Sequence, residues 1–163
     1  MIREYKKSDS SKILYVINDA AIRYKGIIPD NCWHEPYMSE QELVNEFNAG
    51  VRMFGYNRNN KLIAVIGIQK IKDVILIRHA YTLTQYQGTG VGKSLLEYLL
   101  QTNQSTCFLV GTWRDAPVYT ALGSTTRSSI LPKKVLPMRG PLREVPTVRS
   151  SITTSLTVIA VAT

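Results

Sequence analysis

The chain has 163 residues, enough for one domain with a core of ordinary size. Hydrophobic residues make up 44% and charged residues 20%, a globular rather than a disordered composition. The formal net charge is +8, but no run of lysine or arginine exceeds two residues, so no nucleic-acid partner is expected. There are two cysteines, Cys32 and Cys107, with no CxxC pair and no His/Cys cluster, so no metal is expected. The first residues lack the apolar stretch of a secretory signal, and no segment is long enough to span a bilayer. These features predict a cytoplasmic protein with reduced thiols and no membrane partner, as a monomer or a homodimer.

Residues 1–5 read as a short strand. Asp9 or Ser10 is placed to cap a helix that carries Ile13, Leu14, Val16, Ile17, Ala20 and Ala21 at helical spacing. Residues 25–37 are irregular, broken by Gly26, Pro29, Asn31 and Pro36. Ser39 and Glu42 form a capping-box pattern that predicts a second helix to about Asn48. Three strands follow at residues 51–56, 61–69 and 74–83, with turns at 57–60 and 72–73. Connections this short favour an antiparallel meander. Next come a Gly-rich turn, a helix with Leu95, Leu96, Leu99 and Leu100 on one face, and a strand at 106–111. A strand–helix–strand unit of this kind should be parallel with a right-handed crossover.

The Gly-rich turn, Gln87-Gly88-Thr89-Gly90-Val91-Gly92-Lys93-Ser94, carries the most chemistry. Glycines at a strand-to-helix turn let the backbone approach a ligand closely. The first N–H groups of a helix lack internal partners, and together with the helix dipole they attract an anion. The segment therefore reads as a pyrophosphate cradle. A Walker A loop needs a glycine where Gln87 stands, and Asp115 is poorly placed to hold Mg²⁺, so a P-loop nucleotide binder is the weaker reading. Repeated βαβ units and a later acidic residue, which a dinucleotide fold requires, are missing.

The turn and its surroundings resemble the GNAT superfamily of acetyl-CoA-dependent N-acetyltransferases. That family's pattern is [Gln/Arg]-x-x-Gly-x-[Gly/Ala] after a meander. Gln87 to Gly92 satisfies it, as does the overlapping register from Gln85 to Gly90. The first is preferred because the helix follows it directly. The resemblance implies a mixed α/β fold with a largely antiparallel central sheet, a V-shaped split and helices on both faces. It implies acetyl-CoA as co-substrate, with Gln87, Gly88, Thr89, Gly90, Val91 and Gly92 around the pyrophosphate. It also implies that Tyr81, Thr82 and Leu83 present backbone to the pantetheine arm. Thr84 stands where the family has proline.

Acetyl transfer to an amine needs a neutral amine, a stabilised carbonyl oxygen and protonation of the departing thiolate. The family's Tyr-x-x-Leu-Gly-Phe pattern resembles residues 119–124, with Ser124 in place of phenylalanine, so Tyr119 is the candidate acid. His79 is the candidate base, with its neighbour Arg78 expected on the opposite face of the strand. By the same resemblance, Trp33, His34, Glu35 and Tyr37 border the acceptor, a small-molecule or protein amine. The reading is an N-acetyltransferase core over residues 1–123. The alternative is a non-catalytic acyl-CoA-binding domain of the same family.

Residues 124–163 form an atypical Ser/Thr-rich segment. From 115 onward there are six basic and two acidic residues and little periodicity, apart from a strand candidate at 152–161. This segment is either a diverged completion of the sheet or the product of a coding frame that shifts near Pro117.

Overall fold

The computed structural model describes residues 1–26, 33–103, 107–112 and 155–160. The elements run β1 (Ile2–Tyr5), α1 (Ser10–Ala21), α2 (Glu40–Asn48), β2 (Arg52–Arg58), β3 (Lys61–Ile71), β4 (Val74–Thr82), α3 (Val91–Thr102), β5 (Cys107–Thr112) and β6 (Ser155–Ala160). They form one six-stranded sheet in sequence order. β1 to β4 pair antiparallel, and β4–β5 and β5–β6 pair parallel. The sheet is thus mixed and mostly antiparallel, with the expected parallel unit around α3.

Local chemistry explains most boundaries. The β2–β3 hairpin closes on Asn59 and Asn60, both with positive φ, a two-residue turn that asparagine tolerates. The strands therefore extend further into the turn than the four-residue reading of 57–60 implies. α2 begins with the capping box as expected: Glu42 N–H donates to Ser39 Oγ at 3.3 Å, and Ser39 N–H donates to Glu42 Oε2 at 2.7 Å. Asp9 precedes α1 but makes no side-chain cap, because its carboxylate accepts from Arg3 at 3.1 and 3.2 Å. α3 opens at Val91, three residues before the apolar pattern begins at Ser94, because left-handed Gly90 serves as its N-cap.

β3 is buried from Leu62 to Ile68, so both faces of the sheet are covered there. α1 packs on β3 and β4 and contacts α2, while α3 packs on β2, β3 and β4. The core joins Ile13, Val16 and Ile17 of α1 to Met53, Ile63, Val65, Leu95, Leu99 and Phe108. Each such side chain contributes about 1.5–3 kcal/mol on burial.

Two irregularities of β4 place the site. The β4–β5 ladder pairs Ile75, Leu76 and Ile77 with Phe108, Leu109 and Val110 and then stops, while β5 follows β6 as far as Thr112. The sheet is thus split beyond Ile77. The β3–β4 register also shifts, so that His79 and Ala80 together oppose Ile66. This is a bulge on β4, and His79 sits in it with φ +52°.

Candidate functional site

The Gly-rich turn stands at the C-terminal end of β4. Gly88 and Gly90 have φ of +76° and +83°, and a Cβ at either would meet nothing within 4 Å. The turn therefore uses glycine for its backbone conformation and leaves the space in front of it open. Among the described residues, the N–H groups of Gly88, Gly90, Val91, Gly92 and Lys93 have no acceptor. Those of Gln87 and Thr89 turn back to Thr84 and Tyr86 carbonyls at 3.4 Å. The unpartnered donors converge at the N-terminus of a twelve-residue helix, a donor set that fits a pyrophosphate. Lys93 adds little to it, since its ammonium lies 3.7 Å from Glu97 on an exposed face.

The remaining candidate cofactor residues divide by backbone direction. Leu83 is buried, its N–H donates to Ile63 O at 2.9 Å, and its carbonyl accepts from Tyr86. It offers nothing to the split. Alternation along an antiparallel strand turns the backbone of Thr82 the other way, toward the opened side. Thr82 O accepts from Gln87 Nε2 at 3.0 Å, and Gln87 Oε1 in turn accepts from Arg23 at 2.6 Å. Gln87 thus ties the turn to the strand instead of lying loose at the ligand face. A second tie runs from Thr84 N–H to Asp19 Oδ2 at 2.7 Å. A proline at position 84 has no N–H to make that bond.

Tyr81 pairs with Val65 on β3 and sends its side chain into an aromatic cluster. Its ring meets Tyr24 and Tyr37 edge-on at 6.2 and 6.1 Å, and Trp33 lies 5.5 Å from Tyr37. Such contacts add about 0.5–1.5 kcal/mol each beyond burial. Burial and the neighbouring tyrosines push the Tyr81 hydroxyl well above its ordinary value, and burial pushes Tyr24 up to about 12. Tyr81 therefore stays neutral and donates to Tyr37 Oη at 3.3 Å. His34 and Glu35 are exposed, and Glu35 pairs with Lys25 at 2.6 Å. The loop residue Tyr37 thus meets β4 next to its split end, with Trp33 against it.

His79 lies at the bulge and bonds Glu46 Oε2 through Nε2 at 2.8 Å. Glu46 Oε1 accepts from Arg78 at 3.0 Å. The expectation that Arg78 faces away from His79 is wrong, because the bulge interrupts the alternation and both side chains reach one carboxylate. That carboxylate is held below the ordinary 4.5, chiefly by the bond from His79. Tyr119 lies outside the described residues. Sequence reasoning missed Glu46, Asp19, Arg23 and Tyr24; nothing in their spacing points to β4. Among the described residues there is no cluster of three or more potential metal ligands and no helix long and apolar enough to cross a membrane.

A family model described as an acetyltransferase (GNAT) domain matches residues 17–123. The chain is similar in structure to a PaiA N-acetyltransferase from Thermoplasma acidophilum in complex with coenzyme A. The two share 20% identity over 77% of this chain and 86% of the other, with a TM-score of 0.62. The ribosomal-protein-S18-alanine N-acetyltransferase from Escherichia coli aligns at 17% identity over 78% and 76%, with a TM-score of 0.62. A GNAT family acetyltransferase from Brucella melitensis in complex with acetyl-CoA aligns at 16% over 76% and 80%, with a TM-score of 0.55. These likenesses establish the fold. No curated protein is significantly similar to this chain in sequence.

Proposed function

The chain belongs to the GNAT acetyltransferase family, and on that premise we propose that it moves an acetyl group from acetyl-CoA to a primary amine by direct attack. The single observation that carries the reading is the set of unpartnered N–H groups at Gly88 and at Gly90 to Lys93, beside a strand split from its neighbour. Acetyl-CoA, as co-substrate, supplies an activated thioester. Gly88, Gly90, Val91 and Gly92 hold its pyrophosphate through backbone N–H groups, which are worth about 1.5–3 kcal/mol each when they meet a charge. Thr82 offers backbone to the pantetheine arm, with Tyr81 fixing the strand through its ring. Solved relatives in complex with coenzyme A and acetyl-CoA support this choice of co-substrate.

The proton chemistry falls to two residues. A carboxylate only accepts hydrogen bonds, so Glu46 requires the hydrogen of neutral His79 on Nε2 and leaves a lone pair on Nδ1. His79 in this form takes the proton of the incoming amine. Tyr119 returns a proton to the departing thiolate, a role supported by the family-like pattern around it. Trp33, His34, Glu35 and Tyr37 border the acceptor, a primary amine of a small molecule or a protein. We further propose that residues 1–123 form the catalytic core.

The test is release of free thiol from acetyl-CoA with a panel of polyamines, aromatic amines and peptides with free N-termini or lysines. At least one amine should accelerate release by wild-type protein. His79→Ala and Tyr119→Phe should each lower that rate by about 10²–10⁴-fold, the usual worth of a positioned acid or base. Binding of acetyl-CoA with no amine-dependent release would contradict the transferase reading and leave a non-catalytic binder.

A further inference from the structure

We propose that Glu46 is a positioning residue that locks the register of the cofactor-facing half of β4. The observation is convergence. Glu46 reaches across from α2 and binds two consecutive residues of one strand, Arg78 at 3.0 Å and His79 at 2.8 Å. Side chains of consecutive strand residues ordinarily point to opposite faces. Both reach Glu46 only while the extra residue of the bulge is present at His79–Ala80.

The arrangement closes on itself. Arg78 also donates to Gln69 Oε1 at 3.1 Å, and Gln69 donates to Ala49 O at the end of α2 at 2.8 Å. A circuit therefore runs from α2 to β4, to β3 and back to α2. Gly67 makes room for it, since a Cβ there would lie 3.0 Å from Arg78 O. The histidine backbone is left-handed at φ +52°, a conformation that surrounding contacts must hold.

The consequence lies downstream along the strand. If the bulge slips by one residue, every residue after it exchanges faces. The backbone of Thr82 would then turn toward β3 instead of the split. Glu46 opposes that slip, because the slipped register takes one of its two hydrogen-bond donors away. Both bonds end on an ionised carboxylate and are only partly exposed, so they are stronger than neutral surface bonds. Glutamine there loses the charge, and its amide nitrogen is satisfied only if His79 turns to its other tautomer.

This inference rests on the acetyl-CoA reading, and its experiment separates the two. Affinities of wild type and Glu46→Gln are measured for acetyl-CoA and for adenosine 3′-phosphate 5′-diphosphate, which carries the nucleotide end without pantetheine. Glu46→Gln should weaken acetyl-CoA about tenfold, the worth of about one backbone hydrogen bond to the pantetheine arm. It should leave the nucleotide fragment unchanged within about twofold, since the turn itself is untouched. Glu40→Gln, an exposed control on the same helix, should alter neither. Arg78→Met and His79→Ala each remove one donor of the clamp and should reproduce the split; they decide the matter if Glu46→Gln fails to fold. Equal losses for both ligands, or no loss for acetyl-CoA, would overturn the role of Glu46. A wild-type protein that binds neither ligand would overturn the acetyl-CoA reading itself.

Discussion

The two halves of β4 are built differently. From Ile75 to Ile77 the strand is paired on both sides, and Ile75 and Ile77 are buried in alternation. From Arg78 to Thr82 it is paired on one side only, and no residue is fully buried. The first half is held by backbone ladders and apolar packing. The second is held by side chains from elsewhere: Glu46 on Arg78 and His79, Tyr24 and Tyr37 against Tyr81, and Gln87 on Thr82. One strand thus supplies both a rigid base and an open edge, and the bulge marks the boundary between them.

Substitutions on either side of that boundary should separate stability from binding. Ile77→Ala, in the packed half, should cost about 2–5 kcal/mol of unfolding free energy and leave the affinity of the folded fraction for acetyl-CoA unchanged. Chemical denaturation beside calorimetric titration checks it. Gly90→Val should instead act chiefly on binding, with about 1–3 kcal/mol of strain in the turn. A β-branched residue at φ +83° strains the turn and crowds the N–H donors, and losing two charge-assisted bonds weakens acetyl-CoA by about 100-fold. Should Ile77→Ala lose affinity, or Gly90→Val keep it, the division of β4 would be wrong.

Gly67→Ala sharpens the comparison at the boundary itself. The added methyl would press on Arg78 O and on Met53 Sδ, 2.9 Å away. It should destabilise the fold by about 1–3 kcal/mol and weaken acetyl-CoA as well, because it strains packing and bulge together. A smaller effect concerns acid. The carboxyl of Glu46 is depressed in the folded protein, so its contribution is present above the ordinary carboxylate value and is lost as pH falls through the folded one. Glu4, Asp9 and Glu42 are depressed too, so the wild-type melting temperature should fall on acidification below about pH 5. The Glu46→Gln melting curve should fall less steeply over the same range. Identical slopes would show that the clamp contributes no net stability.

What the sequence discloses follows the same boundary. The capping box at Ser39, the asparagine turn and the Gly-rich turn are local, so a few adjacent residues betray them. The cofactor motif belongs to this class, since close backbone approach to a phosphate needs glycine at fixed spacing. The bulge is not local. Nothing in Ile77-Arg78-His79-Ala80 announces an extra residue, because the register is set against β3 and Arg78 and His79 find their partner on α2. Hence alternation misplaced Arg78, and Glu46 went unnoticed on an ordinary helix face. The start of α3 is not legible for another reason: Val91 and Gly92 carry little helical signal, and only the left-handed cap at Gly90 fixes it.

The claim that acetyl-CoA occupies the turn and the open half of β4 is tested most directly by thermal unfolding with two competing ligands. Acetyl-CoA at a hundredfold excess over its dissociation constant should add about 2.7 kcal/mol of stability and raise the melting temperature, while ATP with Mg²⁺ leaves it unchanged. Stabilisation by ATP with Mg²⁺ and none by acetyl-CoA would contradict it.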